Sequence, residues 1–343
     1  MSRRTLIIVA GSGRSGTSLF AGILQRLGFH VPQPEVPADP TNPRGFAESQ
    51  WVVGFHTRLL RRAHVQASDA RPAAWALTAG ACLDGTVREE LRTWLERQFD
   101  VCDDVVVKDP RLLWFLPLWR QCADDAGSTA RFVTMLRHPG AVVDSKQRWY
   151  GGGQGEIGRA AGWVSQSLFA ERATRDARRA FVRYEDLLED WVREIGRVGE
   201  ALDLAVVRHA LAGRLRDVHG FVDHGLSRSR PGWGEVELPA RLRAQADAVW
   251  EHLCTLADGD GTPEVTAELD RQREDFLALY AEAEALAHSS VAAARMASRA
   301  QAAAPAPGAL RLARRVPRRY RDAVPLRWRV QIYRTLRARQ SIS

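Results

Sequence analysis

The sequence predicts an α/β fold of three layers, with a central parallel sheet and a helix-rich C-terminal part. Two observations carry this. Short apolar, β-branched runs alternate with longer amphipathic segments, the pattern of buried parallel strands covered by helices on both faces. The first run, Leu6-Ile7-Ile8-Val9-Ala10, enters a glycine-rich loop from Gly11 to Gly16 that opens directly into a helix, which makes the fold P-loop-like.

The elements follow in order. Strand 5–10 leads into a helix over 17–27, then a short extended piece at 29–31 and a proline-rich loop through Gly45. Trp51, Phe55, Leu59 and Ala63 recur every four residues and predict an amphipathic helix over 47–64. Val87, Leu91, Trp94 and Leu95 mark another. Strand 104–108, helix 112–125, strand 131–136 and helix 140–149 continue the alternation. Gly151-Gly152-Gly153-Gln154-Gly155 interrupts it with a loop suited to a lid over a substrate. Helix 159–178, strand 180–183 and helix 187–202 complete the pattern, and the remainder to about residue 288 reads as mostly helical.

No linker interrupts residues 1–288, which predicts one large domain; residues 289–308 form an Ala/Ser/Pro-rich extension and linker, and 309–343 an Arg-rich tail. The net charge of +8 belongs to that tail, whose eleven Arg and one Asp leave residues 1–308 at −2. Arg-rich segments attract anionic lipid, nucleic acid or acidic partners. With no nucleic-acid recognition fold beside it, nucleic acid is not expected, and an anionic membrane surface competes with a disordered, solubilising tail. The opening Ser-Arg-Arg and apolar run mimic a signal peptide, but so short a run before the glycines suits a first strand better. There is no membrane span, so a cytoplasmic protein is expected, with the inner membrane face as the place a peripheral tail would dock. Cys82, Cys102, Cys122 and Cys254 show neither metal spacing nor a paired framework and read as packed thiols.

Three chemistries fit the loop. As an NTP-binding G-x-x-x-x-G-K-[ST] loop it has Thr17 where the phosphate-binding lysine belongs. As a dinucleotide G-x-G-x-x-G fingerprint it matches Gly11, Gly13 and Gly16, with Glu35 at about the distance of a ribose-binding acid, but Phe29-His30-Val31 is too short for the second strand and runs into Pro32, Pro34 and Pro37. The third reading places a basic residue two positions before the last glycine.

That loop, Arg14-Ser15-Gly16-Thr17-Ser18, resembles the Lys-Ser-Gly-Thr-Thr phosphosulfate loop of the PAPS-dependent sulfotransferase superfamily, with Arg for Lys. Three further matches occur in chain order. Val105-Val106-Val107-Lys108-Asp109-Pro110-Arg111 is a strand leading into a basic turn; Arg137 ends a strand with Ser145 eight residues on; and Phe181-Val182-Arg183-Tyr184-Glu185-Asp186-Leu187 is similar to the family's Tyr-Glu-Asp segment. The resemblance spans about residues 5–235 and is to bacterial, actinobacterial-type members of the family.

It implies sulfuryl transfer from PAPS (3′-phosphoadenylyl sulfate) to a hydroxyl of a small-molecule, carbohydrate, glycolipid or lipid acceptor, with no metal. Ser12, Gly13, Arg14, Ser15, Gly16, Thr17 and Ser18 would cradle the 5′-phosphosulfate, Arg137 and Ser145 the 3′-phosphate, and Tyr184 would lie near the adenine. Lys108 and Arg14, with Arg111 as a helper, would stabilise charge at the transferring group as catalytic residues. An acceptor hydroxyl needs a base. Glu35 follows the first βα unit, as does the catalytic glutamate of carbohydrate-modifying members; Glu48 lies in Asn42-Pro43-Arg44-Gly45-Phe46-Ala47-Glu48, similar to a segment of bacterial members; His56 lies two turns later. Classical cytosolic members have a His where this chain has Pro110, so their base does not transfer. Trp51, Trp75 and Trp149 are candidates for an acceptor pocket or for core. Competing with this reading are a P-loop NTP-dependent kinase, with Val105 to Asp109 as its Mg²⁺-binding strand, a nicotinamide enzyme, and a non-catalytic nucleotide-binding scaffold.

Overall fold

A computed structural model of the chain describes residues 4–150, 154–223, 225 and 232–303. Four strands, β1 (Thr5–Ala10), β2 (Asp104–Lys108), β3 (Thr129–Leu136) and β4 (Arg179–Arg183), form an all-parallel sheet in the order β2-β1-β3-β4. Thr5 pairs with Asp104 on one side and Thr129 on the other, and Leu136 pairs with Arg183. The extended piece predicted at 29–31 pairs outside β2, where His30 bridges Val105.

Side chains alternate across the sheet. Leu6, Ile8, Val105, Val107 and Phe132 pack on one face under α2 (Gln50–Arg62), α4 (Gly85–Phe99) and α5 (Leu116–Asp125). Ile7, Val9, Val106, Val133 and Met135 pack on the other against α1 (Thr17–Leu27), α9 (Trp191–Ala201) and α10 (Ala205–Phe221). A third cluster joins Leu136 and Phe181 to α6 (Pro139–Tyr150), α7 (Glu156–Ala173) and α11 (Ala240–Ala257). This is the predicted three-layer arrangement. All four strands end at one rim, where ligands of parallel sheets gather.

Several boundaries differ from expectation for local reasons. The helix predicted from 47 starts at Gln50, because Ala47 takes a left-handed φ of 51° and Ser49 is bridged to Glu35. The helix expected over 112–125 begins as a 3₁₀ turn, Pro110–Phe115, capped by the Asp109 carboxylate on the Arg111 N–H, and becomes α5 at Leu116. The helix expected over 187–202 divides at Asp190 into α8 (Tyr184–Glu189) and α9, whose first turn Asp190 caps. The helix α3 (Ala73–Cys82) was not anticipated: its alanines favour helix but leave no apolar stripe to read. The chain divides into two compact units, Met1–Tyr280 and Ala281–Ser343. The last helix, α12 (Pro263–Ala303), carries the start of the predicted extension; residues 304–308 and the Arg-rich tail lie outside the described residues. No described helix is long and apolar enough to cross a membrane.

Candidate active site

The glycine loop leaves β1 at the rim with a backbone that side chains resist. Gly11 has φ 146° and Gly16 φ 88°, and a Cβ on Gly16 would sit 2.3 Å from the Tyr184 ring. Arg14 itself holds a left-handed φ of 77°, an unfavourable conformation outside glycine that is kept in place by its contacts. Its Nε donates to Ser145 Oγ at 3.0 Å, and its carbonyl accepts from the Arg137 guanidinium at 3.0 Å. Ser145 therefore gives its lone pair to a cation and keeps its O–H as a donor. Arg137 lies 4.6 Å from the centre of the Tyr184 ring, so loop, β3, α6 and α8 converge through four side chains. The Ser15 hydroxyl, buried in the loop, has no hydrogen-bond partner among the described residues.

Across the loop stands Lys108, the last residue of β2, nearly inaccessible at 3% exposure. Its Nζ donates to Ser18 Oγ at 3.0 Å and forms an ion pair with Glu48. Burial pushes the Glu48 carboxyl above the usual range, outweighing the attraction of Lys108. Glu48 precedes α2, so it is not a first-turn residue complementing that helix dipole. A cavity of about 400 Å³ is lined by Arg14, Gly16, Thr17, Ser18, Glu48, Lys108, Arg111, Arg137, Ser145 and Tyr184. Segment 39–46 forms another wall, tied to the end of α10 by Arg44, which donates to the Gly220 carbonyl (2.8 Å) and Asp223 (3.1 Å).

Other candidates stand elsewhere. Ser12, Gly13 and Ser15 belong to the loop but not to the cavity lining. The Glu35 carboxylate accepts from Gln25 at 2.7 Å and Gln33 at 2.8 Å, outside the lining. His56 is fully buried: its Nε2 accepts from the Trp119 indole at 2.9 Å and its Nδ1–H donates to Asp109 at 2.8 Å, so both nitrogens are spent. Trp149 lines the cavity, whereas Trp75 stacks on Phe169 and Trp51 on Trp94. Gly151–Gly153, the predicted lid tip, lie outside the described residues. Lys146, which sequence reasoning passed over, donates to Ser12 Oγ at 2.9 Å from behind the loop. A lysine one residue past Ser145 on a helix reads as surface, and only the packing of α6 shows otherwise. Among the described residues no three His, Cys, Asp or Glu side chains gather as a metal site would need.

A glycine-rich loop at the carboxyl rim of a parallel sheet, ringed by arginines and a buried Lys–Glu pair, gives this α/β protein a cavity whose chemistry suits a polyanion. The chain belongs to the sulfotransferase family, whose model matches residues 7–208. It is similar to the sulfotransferase domain of the Synechococcus PCC 7002 olefin synthase, at 18% identity over 74% of this chain and 96% of that one, with a TM-score of 0.44. A sulfotransferase domain of the curacin biosynthetic pathway is similar at 15% identity over 74% of this chain and 99% of that one, also with a TM-score of 0.44. No curated protein matches the chain significantly.

Proposed function

We propose that the protein transfers a sulfuryl group from PAPS to an acceptor hydroxyl. The observation that carries the reading is that one cavity joins the Arg14–Ser145–Arg137 cluster to the Lys108–Glu48 pair. An anchor for phosphates and a base beside a cation are the two things this chemistry requires. The residues suit the donor: Arg14, Thr17 and Ser18 line the cavity along the loop, and Gly16 lets the backbone pack against the Tyr184 ring where a Cβ would not fit.

PAPS supplies an activated sulfuryl group, joined through oxygen to its 5′-phosphate. Arg14, the loop backbone and the Thr17 and Ser18 hydroxyls hold that end. Arg137 and the O–H of Ser145 hold the 3′-phosphate, beside Tyr184 at the nucleoside. Glu48 takes the acceptor hydroxyl proton as the acceptor oxygen bonds to sulfur and the sulfur–oxygen bond to the phosphate opens. Its raised pKa strengthens it as a base. Lys108 offsets the charge that develops on the bridging oxygen.

Ligand-induced thermal shifts and a radiolabelled-donor screen test this. Adenosine 3′,5′-bisphosphate, the product left after transfer, should raise Tm more than ATP with Mg²⁺ or NAD, and label should pass to a hydroxyl acceptor. Stabilisation by ATP alone, with phosphate transfer, would replace the reading with a kinase.

A further inference from the structure

Behind the anion loop lies a cation that the proposed chemistry does not use. Lys146 is 4% exposed, on α6. Its Nζ donates to Ser12 Oγ at 2.9 Å and Ser68 Oγ at 3.2 Å. Its stem packs under the loop, with Cε 4.0 Å from where a Gly13 Cβ would stand. Among the described residues no carboxylate pairs with it, and the charged neighbour acting on it is Arg159 of α7, also buried. A buried ammonium with only hydroxyl partners is costly, and a second buried cation beside it makes it more so. Such an arrangement is retained where an anion completes it.

We propose that Lys146 is the positioning residue of the loop, holding Ser12 from behind and supplying the charge that a nucleotide polyanion recruits, so that donor binding and protonation of Nζ are one linked event. The inference rests on the donor reading above and deepens it. Ser12 is the mechanical link. Its Oγ accepts from Lys146 while its carbonyl accepts from the Ser15 N–H at 3.1 Å, so the lysine is tied to the turn that shapes the loop. Burial, then Arg159, pushes Lys146 down to about 8. An anion across the loop opposes both effects and raises it again, so affinity is highest with Lys146 charged and falls as pH rises through the value of the free protein. The other charged groups around it come from the loop, α7, its own helix and the segment carrying Ser68. Arg14 is on the loop and Arg159 on α7; Asp144 pairs with Arg148 on its own helix, and Asp69 with Arg71 in the segment carrying Ser68. The phosphates of the ligand titrate near pH 6, below the window. The chain's α-amino group titrates within it, so a variant control is needed.

The experiment is calorimetry with adenosine 3′,5′-bisphosphate from pH ~6.5 to ~9.5, in buffers of differing ionisation enthalpy, on the full chain and on Lys146→Met and Lys146→Arg. The intact protein should hold its affinity below pH ~7.5, lose up to about tenfold per pH unit above 8, and take up about half a proton per site near pH ~8 and close to one near pH ~9. Lys146→Met should bind about tenfold or more weakly at pH ~7 and lack the alkaline fall. Lys146→Arg, whose charge does not titrate, should restore affinity with a flat profile. A merely structural lysine would weaken binding without moving the pH profile. An alkaline fall retained in Lys146→Met overturns the inference. So does a flat profile without proton uptake in the intact protein, which decides the matter even if the methionine variant does not fold. Failure of the bisphosphate to bind the folded, intact protein at any pH overturns the donor reading, and this inference with it.

Discussion

Lys108 and Asp109 are consecutive residues, both buried, both charged and both paired, yet they serve opposite ends. Asp109 faces a closed network: His56 and the Arg111 N–H bond to its carboxylate, Trp119 closes His56, and Phe115 stacks on the imidazole at 5.1 Å. Lys108 faces Glu48 and Ser18 at the edge of the cavity, where both members of the pair can meet a ligand. Burial and charge therefore do not mark function here. What separates the two is whether any donor or acceptor is left pointing at open space.

The largest effect should come from opening the closed network. His56→Ala leaves the Asp109 carboxylate buried without its main partner and should cost about 3–5 kcal/mol in denaturant unfolding, while the fraction that folds keeps its donor affinity. Burial opposes the charge on Asp109, but the hydrogen bond from His56, with the N–H and charge of Arg111, outweighs it and holds the carboxyl below its usual range. The contribution is therefore full above pH ~4 and lost as pH falls through the lowered value, so the gap between variant and parent should narrow in acid. A gap that widens in acid would break the comparison.

Next is the open pair. Glu48→Gln keeps size and removes the proton acceptor, so kcat should fall by about two orders of magnitude or more, with bisphosphate affinity nearly unchanged. Glu35→Gln, at a carboxylate already held by two glutamines, should leave kcat within a few-fold. The reverse result would make Glu35 the base.

The smallest effect belongs to the tail. Truncation after Pro305 should leave donor affinity and Tm unchanged, and should lower salt-sensitive sedimentation with phosphatidylglycerol vesicles, since each Arg near an anionic surface contributes about 1 kcal/mol through a screened interaction. A truncated protein that sediments equally well removes the membrane as partner.

The difference between Lys108 and Asp109 also explains what the sequence can carry. The sheet was legible because continuous apolar, β-branched runs and a glycine loop are local signals, and so were Arg137 and Ser145, whose spacing places them on one strand end and the following helix. Glu48 was legible as a candidate but not as the better one. Choosing it over Glu35 needs the Lys108 pairing, 60 residues away in the chain. Lys146 and the His56 network were illegible for the same reason: whether a polar residue on a helix points inward depends on the helices packed around it, from α3 to α7, and α3 itself had no periodicity to announce it. Local pattern finds elements, whereas closure of a hydrogen-bond network is a long-range property.

The most direct measurement is the affinity of the protein for adenosine 3′,5′-bisphosphate against AMP at neutral pH. On the proposed donor reading, Arg137 and Ser145 would give the 3′-phosphate charge-assisted contacts worth about 2–3 kcal/mol, so the bisphosphate should bind about 30–150-fold more tightly, and Arg137→Ala should erase most of that difference. Equal affinity for the two ligands in the intact protein would contradict the assignment.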